Sequence, residues 1–281
     1  MAGPVVTAAV ETPSGKWRED ENFPVGSFLI RRDLRVHVHA FYRFAREADD
    51  IADNPALEAQ DKIRRLDRME EVLDGAPPGD SPAAAAVRQS LLATGLTFQH
   101  CRDVLHAFRL DATKLRYEDW DDLMNYCRYS AAPVGRQLLD LHGEDRVTWP
   151  PGDALCNALQ VLNHLQDCAA DHRNLDRVYL PRVDLEACGA RIEELRAPQS
   201  SRGLRCVLDR LLDNTEALVV KARGLPPLVN SPGLRRECAV IVNLAERLTA
   251  RLRAGDPLAR RVKLTKTDFA AALLIGLWRG R

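Results

Sequence analysis

The chain has 281 residues, 46% hydrophobic and 28% charged, a length for one or two domains and a composition too apolar for global disorder. Forty Lys and Arg balance forty Asp and Glu, which excludes an overall electrostatic attraction to nucleic acid. Residues 1–17 lack a basic start followed by an apolar core, so no signal peptide is read there. The longest apolar run, residues 269–278, is half of the roughly 20 residues that a bilayer span takes. A cytoplasmic protein is expected, touching a membrane from one side at most. Seven Cys, an odd number without a CxxC pair, point to reduced and mostly buried thiols.

Residues 1–20 read as a flexible leader, rich in small residues, Thr and Pro. Residues 21–281 then form one domain in which the helical period dominates. Between residues 33 and 53, Leu34, Val38, Phe41, Phe44, Ala45, Ala48, Ile51 and Ala52 recur at spacings of three and four, the stripe of an amphipathic helix. Asn54-Pro55 stops it. The same pattern predicts helices over 58–74, 82–93, 98–111, 119–141, 151–172, 201–223, 232–253 and 265–278. Pro- and Gly-rich breaks separate most of them. Val178-Tyr179-Leu180 is the best strand candidate and is too short to found a sheet. An all-α domain, a bundle of helices around a core, is the expected fold class.

Two acidic clusters break the usual charge alternation of helix surfaces. Asp49 and Asp53 are four apart on one face, no Lys or Arg follows nearby, and the helix ends directly after them. Like charges at that spacing repel, and a helix C-terminus is the unfavourable end of the dipole for an anion. Asp167 and Asp171 repeat the pattern near the end of another helix, with Gln160 and Asn163 seven and four residues before Asp167. The other sides of that helix carry Leu155, Leu159, Val161, Leu162 and Leu165, so its polar stripe faces something inside the protein. Arrangements that violate several local rules at once belong to functional sites. Mg²⁺ takes oxygen ligands, keeps several waters and joins one or two carboxylates to substrate phosphates. Two DxxxD pairs from facing helices would therefore cage a Mg²⁺–diphosphate unit. Zinc through His164, Asp167 and Asp171 or His172 is geometrically allowed, but no HExxH or Cys–His set supports it. No GxSxG, GxxxxGK[ST] or GxGxxG frame is present.

Several segments carry a family resemblance over about residues 20–270. Phe41-Tyr42-Arg43-Phe44-Ala45-Arg46-Glu47-Ala48-Asp49-Asp50-Ile51-Ala52-Asp53 resembles a first aspartate-rich motif preceded by an aromatic residue and Arg. Tyr126-Cys127 through Ala131-Ala132-Pro133-Val134-Gly135 is similar to a YCxxVAGxVG segment, and Gln160, Asn163, Asp167 and Asp171 to QxxNxxxDxxxD. Arg177-Val178-Tyr179-Leu180-Pro181 looks like the RxYLP turn that follows. In this order these motifs resemble the squalene/phytoene synthase family of all-α prenyltransferases. Glu21-Asn22-Phe23-Pro24-Val25, the altered AGxVG core, and Gln166 where condensing members usually carry Arg look like its bacterial hopanoid branch. Members of that branch convert presqualene diphosphate to hydroxysqualene and diphosphate.

The resemblance implies roles residue by residue. Asp49, Asp53, Asp167 and Asp171 would hold Mg²⁺ on the leaving diphosphate, and Arg46, Arg177 and Arg261 would pair with phosphate oxygens. Tyr179 of the RxYLP turn joins the substrate-binding set. The rings of Tyr42, Phe23 and Tyr126 would favour positive charge in an apolar cavity, with Gln160 and Asn163 positioning water and Tyr126 carrying a proton. Asp50 points about 100° away from Asp49 and is read as supporting or solvent-facing. Gln166 in place of Arg fits a substrate with one diphosphate. No NADPH is expected for that reaction. The partners implied are a prenyl diphosphate substrate and a presqualene diphosphate synthase upstream; Arg260, Arg261, Lys263 and Lys266 ahead of apolar residues 269–278 read first as a packed final helix and second as a contact with an anionic membrane surface. The alternatives are a condensing sibling, making presqualene diphosphate, phytoene or squalene, and, from another class, a non-catalytic helical partner of a prenyltransferase complex.

Overall fold

Several helices start where the sequence supplies a cap or a proline. The computed structural model describes Val10 and residues 29–279. In chain order the helices are α1 (Arg35–Asp53), α2 (Ala59–Asp74), α3 (Pro82–Thr94), α4 (Gln99–Asp111), α5 (Trp120–Ser130) and α6 (Ala132–Leu141). There follow α7 (Trp149–Leu175), α8 (Arg182–Ala187), α9 (Arg202–Ala222), α10 (Leu225–Leu228), α11 (Pro232–Ala254) and α12 (Lys266–Arg279). Asp119 caps α5 by accepting from the Asp122 amide, Ser201 caps α9 through the Leu204 amide, and α3, α6, α7 and α11 carry Pro in their first turn. Proline costs nothing there because the first amides have no helical acceptor. An isolated parallel bridge joins Arg116 to Val178, all that the strand-like run at 178–180 produces.

Two expectations need correction. The helix read over 119–141 is two, broken at Ala131 (φ −117°, ψ −49°). Pro133 has no amide to donate back into the preceding turn and its ring crowds the carbonyl four residues before it, so α6 restarts with Pro in its first turn. Cys188 and Cys206, expected as thiols, are joined as a disulfide with Cα atoms 5.9 Å apart. The short α8, which periodicity cannot reveal, brings Cys188 beside the first turns of α9. The other five cysteines are free.

The helices pack as two groups. One core gathers Phe44, Ile51, Leu66, Met69, Val87 and Leu105 from α1–α4. Val10 belongs to it: it is buried and its carbonyl accepts from Arg65 Nη1 at 3.2 Å. At that residue the expected leader is anchored; the rest of residues 1–20 lies outside the described residues. The larger core surrounds α7, which packs against α5, α6, α9 and α11. Gly135 of α6 lets that helix close on α7, since a Cβ there would lie 2.5 Å from Cys156 Sγ. α12 packs along α11 with Ala272 buried and Gly276 against Val240, leaving Phe269 and Leu274 exposed. Among the described residues, no helix is long and apolar enough to cross a membrane.

Candidate active site

The ends of α1 and α7 meet at one mouth. Arg46 reaches Asp49 through Nη1 (3.2 Å) and Asp50 through Nη2 (3.0 Å). Asp50 is therefore buried and ion-paired rather than solvent-facing. Arg177, on the turn after α7, donates Nη1 to Asp53 Oδ1 (2.5 Å), Nη2 to the Ala52 carbonyl (2.9 Å) and Nε to the Asp111 carbonyl (3.1 Å). A cation thus sits at the C-terminus of α1, relieving the unfavourable end of its dipole. Arg261 donates Nη2 to Asp167 at 2.7 Å. Gln166 faces away from this mouth: it is buried and its Nε2 donates to the Val262 carbonyl at 2.5 Å. Together Gln166 and Asp167 fasten the segment carrying Arg261 to α7. Its position therefore lends no support to a count of diphosphates.

The carboxylates press on one another. Burial and the charge of Asp53 hold the pKa of Asp49 well above the ordinary value. Burial, Asp167 and then Asp53 push Asp171 up to about 7, so the α1 and α7 motifs face each other across the mouth. Among the described residues, no three His, Cys, Asp or Glu side chains converge as a ready-made cage for one ion. The donor set nonetheless fits a hard divalent cation. Hard oxygen donors come in two facing pairs, one member of each (Asp49 and Asp171) held above the ordinary carboxylate range, and such an ion binds through one or two carboxylates with water and phosphate completing its shell. Zinc fits poorly: the His164 ring is stacked on Tyr179 inside a buried cluster, and its Nε2 already accepts from Gln160 Nε2 at 3.2 Å.

Below the mouth a cavity of about 330 Å³ runs between the two cores. Tyr42, Arg46, Asp49, Gln160 and Asn163 lie at its polar end, and Phe41, Ala45, Phe108, Leu138 and Leu159 are among its apolar walls. Tyr126 and Tyr179, expected at the substrate, are not on this wall. Both are buried in a ring cluster with Tyr117 and His164, in which His164 stacks on Tyr179 at 3.5 Å between centroids. Their hydroxyls donate to Asp111, at 2.8 Å from Tyr126 and 3.2 Å from Tyr179. Tyr126 is thereby a fixed donor to a carboxylate rather than a proton carrier at the cavity. Sequence reasoning missed Asp111, the last residue of α4; an acidic residue at the wrong end of a helix, the signal that exposed the two pairs, was available there too. Phe23 lies outside the described residues.

An all-α chamber whose mouth is built from two facing DxxxD pairs and arginines defines a prenyl diphosphate-processing class. The squalene/phytoene synthase model matches residues 17–268, and the chain belongs to that family. Hydroxysqualene synthase of Rhodopseudomonas palustris is 46% identical over 95% of this chain and 91% of its own. That of Zymomonas mobilis is 46% identical over 91% of this chain and 86% of its own. Among solved structures, squalene synthase HpnC from Alicyclobacillus acidocaldarius superposes with a TM-score of 0.73 at 36% identity, covering 82% of this chain and 87% of that one.

Proposed function

We infer that the protein converts presqualene diphosphate to hydroxysqualene and diphosphate. The observation that carries this reading is the continuity of a carboxylate–arginine mouth with an apolar chamber whose upper wall bears amides. The identity with the two hydroxysqualene synthases supports the particular reaction.

Mg²⁺, held by Asp49, Asp53, Asp167 and Asp171, would supply the charge stabilisation that lets diphosphate leave. Arg46, Arg177 and Arg261 turn N–H groups from carboxylates to phosphate oxygens, a geometry that guanidinium matches with paired hydrogen bonds. As the carbon–oxygen bond breaks, its electron pair goes to diphosphate and the cation is left among Phe41, Phe108, Leu138 and Leu159, where bulk water is excluded. The Tyr42 ring at the polar end presents a π-face to positive charge. Gln160, oriented by His164, and Asn163 mark the boundary between wet mouth and dry chamber. Water then adds to one carbon, and its proton passes to the released diphosphate.

Such a substrate comes from head-to-head joining of two prenyl diphosphates, so a condensing synthase acts upstream. The product is a lipophilic alcohol, and exposed Phe269 and Leu274 beside Lys263 and Lys266 give α12 a face suited to an anionic membrane surface. The deciding experiment is product analysis with purified protein and Mg²⁺, offered presqualene diphosphate or farnesyl diphosphate, with and without NADPH. Hydroxysqualene from the first substrate alone, independent of NADPH, is expected. A cyclopropyl or phytoene-type product from a prenyl diphosphate would move the protein to the condensing branch.

A further inference from the structure

Gln137 and Ser130 are polar side chains of the cavity wall with no role in the chemistry above. Gln137 on α6 is 4% exposed, lines the cavity, and its Oε1 is buried without a hydrogen-bond donor among the described residues. Ser130, at the break between α5 and α6, lines the same cavity and adds a buried Oγ without a hydrogen-bond partner among the described residues. The same lining includes Phe41, Ala131, Val134 and Leu138, with Glu237 and His37 among its other polar members. Folded proteins leave few buried polar atoms unmatched, and each such atom calls for an explanation. Gln160 differs, because its amide nitrogen is already committed to His164.

The reaction ends when one water attacks a cation that everything else in the chamber keeps dry. A water held by donating its hydrogens to acceptor oxygens keeps its lone pairs free for carbon, and the acceptors strengthen its nucleophilicity. An amide oxygen without a donor, in an apolar wall, is such an acceptor. We propose that Gln137 is the water-positioning residue of this protein, its Oε1 accepting an O–H from the water that quenches the cation, with Ser130 Oγ as a second acceptor on that wall. The inference rests on the hydroxysqualene reading. In the step, the water oxygen forms the new carbon–oxygen bond, a ring bond of the rearranged cyclopropylcarbinyl cation opens to give the homoallylic alcohol, and one water proton passes to released diphosphate. No oxidant or reductant is needed. Gln137 chooses the fate of the cation, whereas the mouth makes it, and the two are separable.

Gln137→Met keeps the side-chain volume and removes the acceptor; Gln137→Leu is a second apolar replacement should the first not fold, and Gln137→Glu restores an acceptor oxygen. Each is assayed with presqualene diphosphate and Mg²⁺ for diphosphate release and for product composition. The expected result is near-wild-type diphosphate release with the hydroxysqualene share of products lower by roughly tenfold, the weight of about one hydrogen bond. Proton-loss hydrocarbons and misplaced alcohols take its place, Gln137→Glu recovers most of the hydroxysqualene, and Ser130→Ala shifts the partition in the same direction by less. An unchanged product partition in folded Gln137→Met or Gln137→Leu overturns the proposal. So does a parallel loss of diphosphate release and hydroxysqualene, which would mark a packing role. Wild-type protein that makes no hydroxysqualene refutes the functional reading first, and the role of Gln137 with it.

Discussion

Arg177 shows how a single side chain resolves a local contradiction. Its guanidinium pairs with Asp53 and the C-terminal carbonyl of α1 across 124 and 125 positions of sequence, so the acid that ends α1 is balanced from far along the chain, while Asp49 is balanced by Arg46 of its own helix. Asp111 beneath it is the converse case. Burial, only partly opposed by Arg177 and the two tyrosine hydroxyls, pushes its carboxyl up to about 6 from 3.8. The folded state therefore holds this proton more tightly than the unfolded chain does. The associated stability is fully present below about pH 4 and is lost as pH rises through about 6. At 1.36 kcal/mol per unit the shift amounts to about 3 kcal/mol. Asp111→Asn removes that dependence, so urea unfolding at pH 4.5 and 7.5 is expected to show the variant gaining on wild type as pH rises. A pH-independent difference would mean that the carboxyl is not burdened by buried charge. The aspartate pairs were legible in sequence because they violate helix rules that any reader can apply. The partners of Arg177 and the retreat of Tyr126 and Tyr179 from the cavity were not, because spacing along a chain does not say which helices will face each other.

Among the elements, legibility followed length. Helices long enough to show several turns of apolar stripe were read to within a few residues. α8, with six residues, and α10, with four, carry less than two turns of pattern. The break at Ala131 was the one misread of a long element, and Pro133 was the signal for it. Close contacts between helices are likewise invisible until two faces are known. At Gly276 an added Cβ would lie 2.3 Å from Val240 Cγ2 and 2.9 Å from the Val240 amide nitrogen, so a side chain there must push α12 off α11. Gly276→Leu is expected to cost about 1–3 kcal/mol, the range for overpacking, and to lower Tm by several degrees in a chain of this size. Activity per folded molecule at low temperature is expected to persist, because among the described residues none of α12 lines the cavity. A melting curve unchanged from wild type would show that α12 does not pack as described.

For the whole molecule, the all-α class and its aspartate-rich site follow from sequence, while the division into two cores with a chamber between them follows only from packing. The mouth of that chamber has a thermodynamic consequence. Asp49, Asp53 and Asp167 each hold an arginine, so at rest the entrance resembles an ion exchanger with its counter-ions already loaded. A divalent cation arriving alone must compete with guanidinium for carboxylate, and a diphosphate arriving alone must compete with carboxylate for guanidinium. Arriving together, each takes the partner that the other releases, and the site re-sorts into cation–carboxylate and arginine–phosphate pairs. The two ligands are then heterotropic effectors of one another, each raising the affinity of the other by the same factor, as linkage requires. Calorimetric titration of Mn²⁺ alone and at saturating inorganic diphosphate, corrected for their association in solution, is expected to show this synergy at roughly tenfold or more, within the usual range of coupling energies. Arg177→Met, which leaves Asp53 unpaired, is expected to tighten the cation alone and shrink the synergy; equal synergy in the variant would place the exchange elsewhere. An entrance of this kind discriminates by stoichiometry as well as by shape, because neither half of a cation–diphosphate salt is a good ligand without the other.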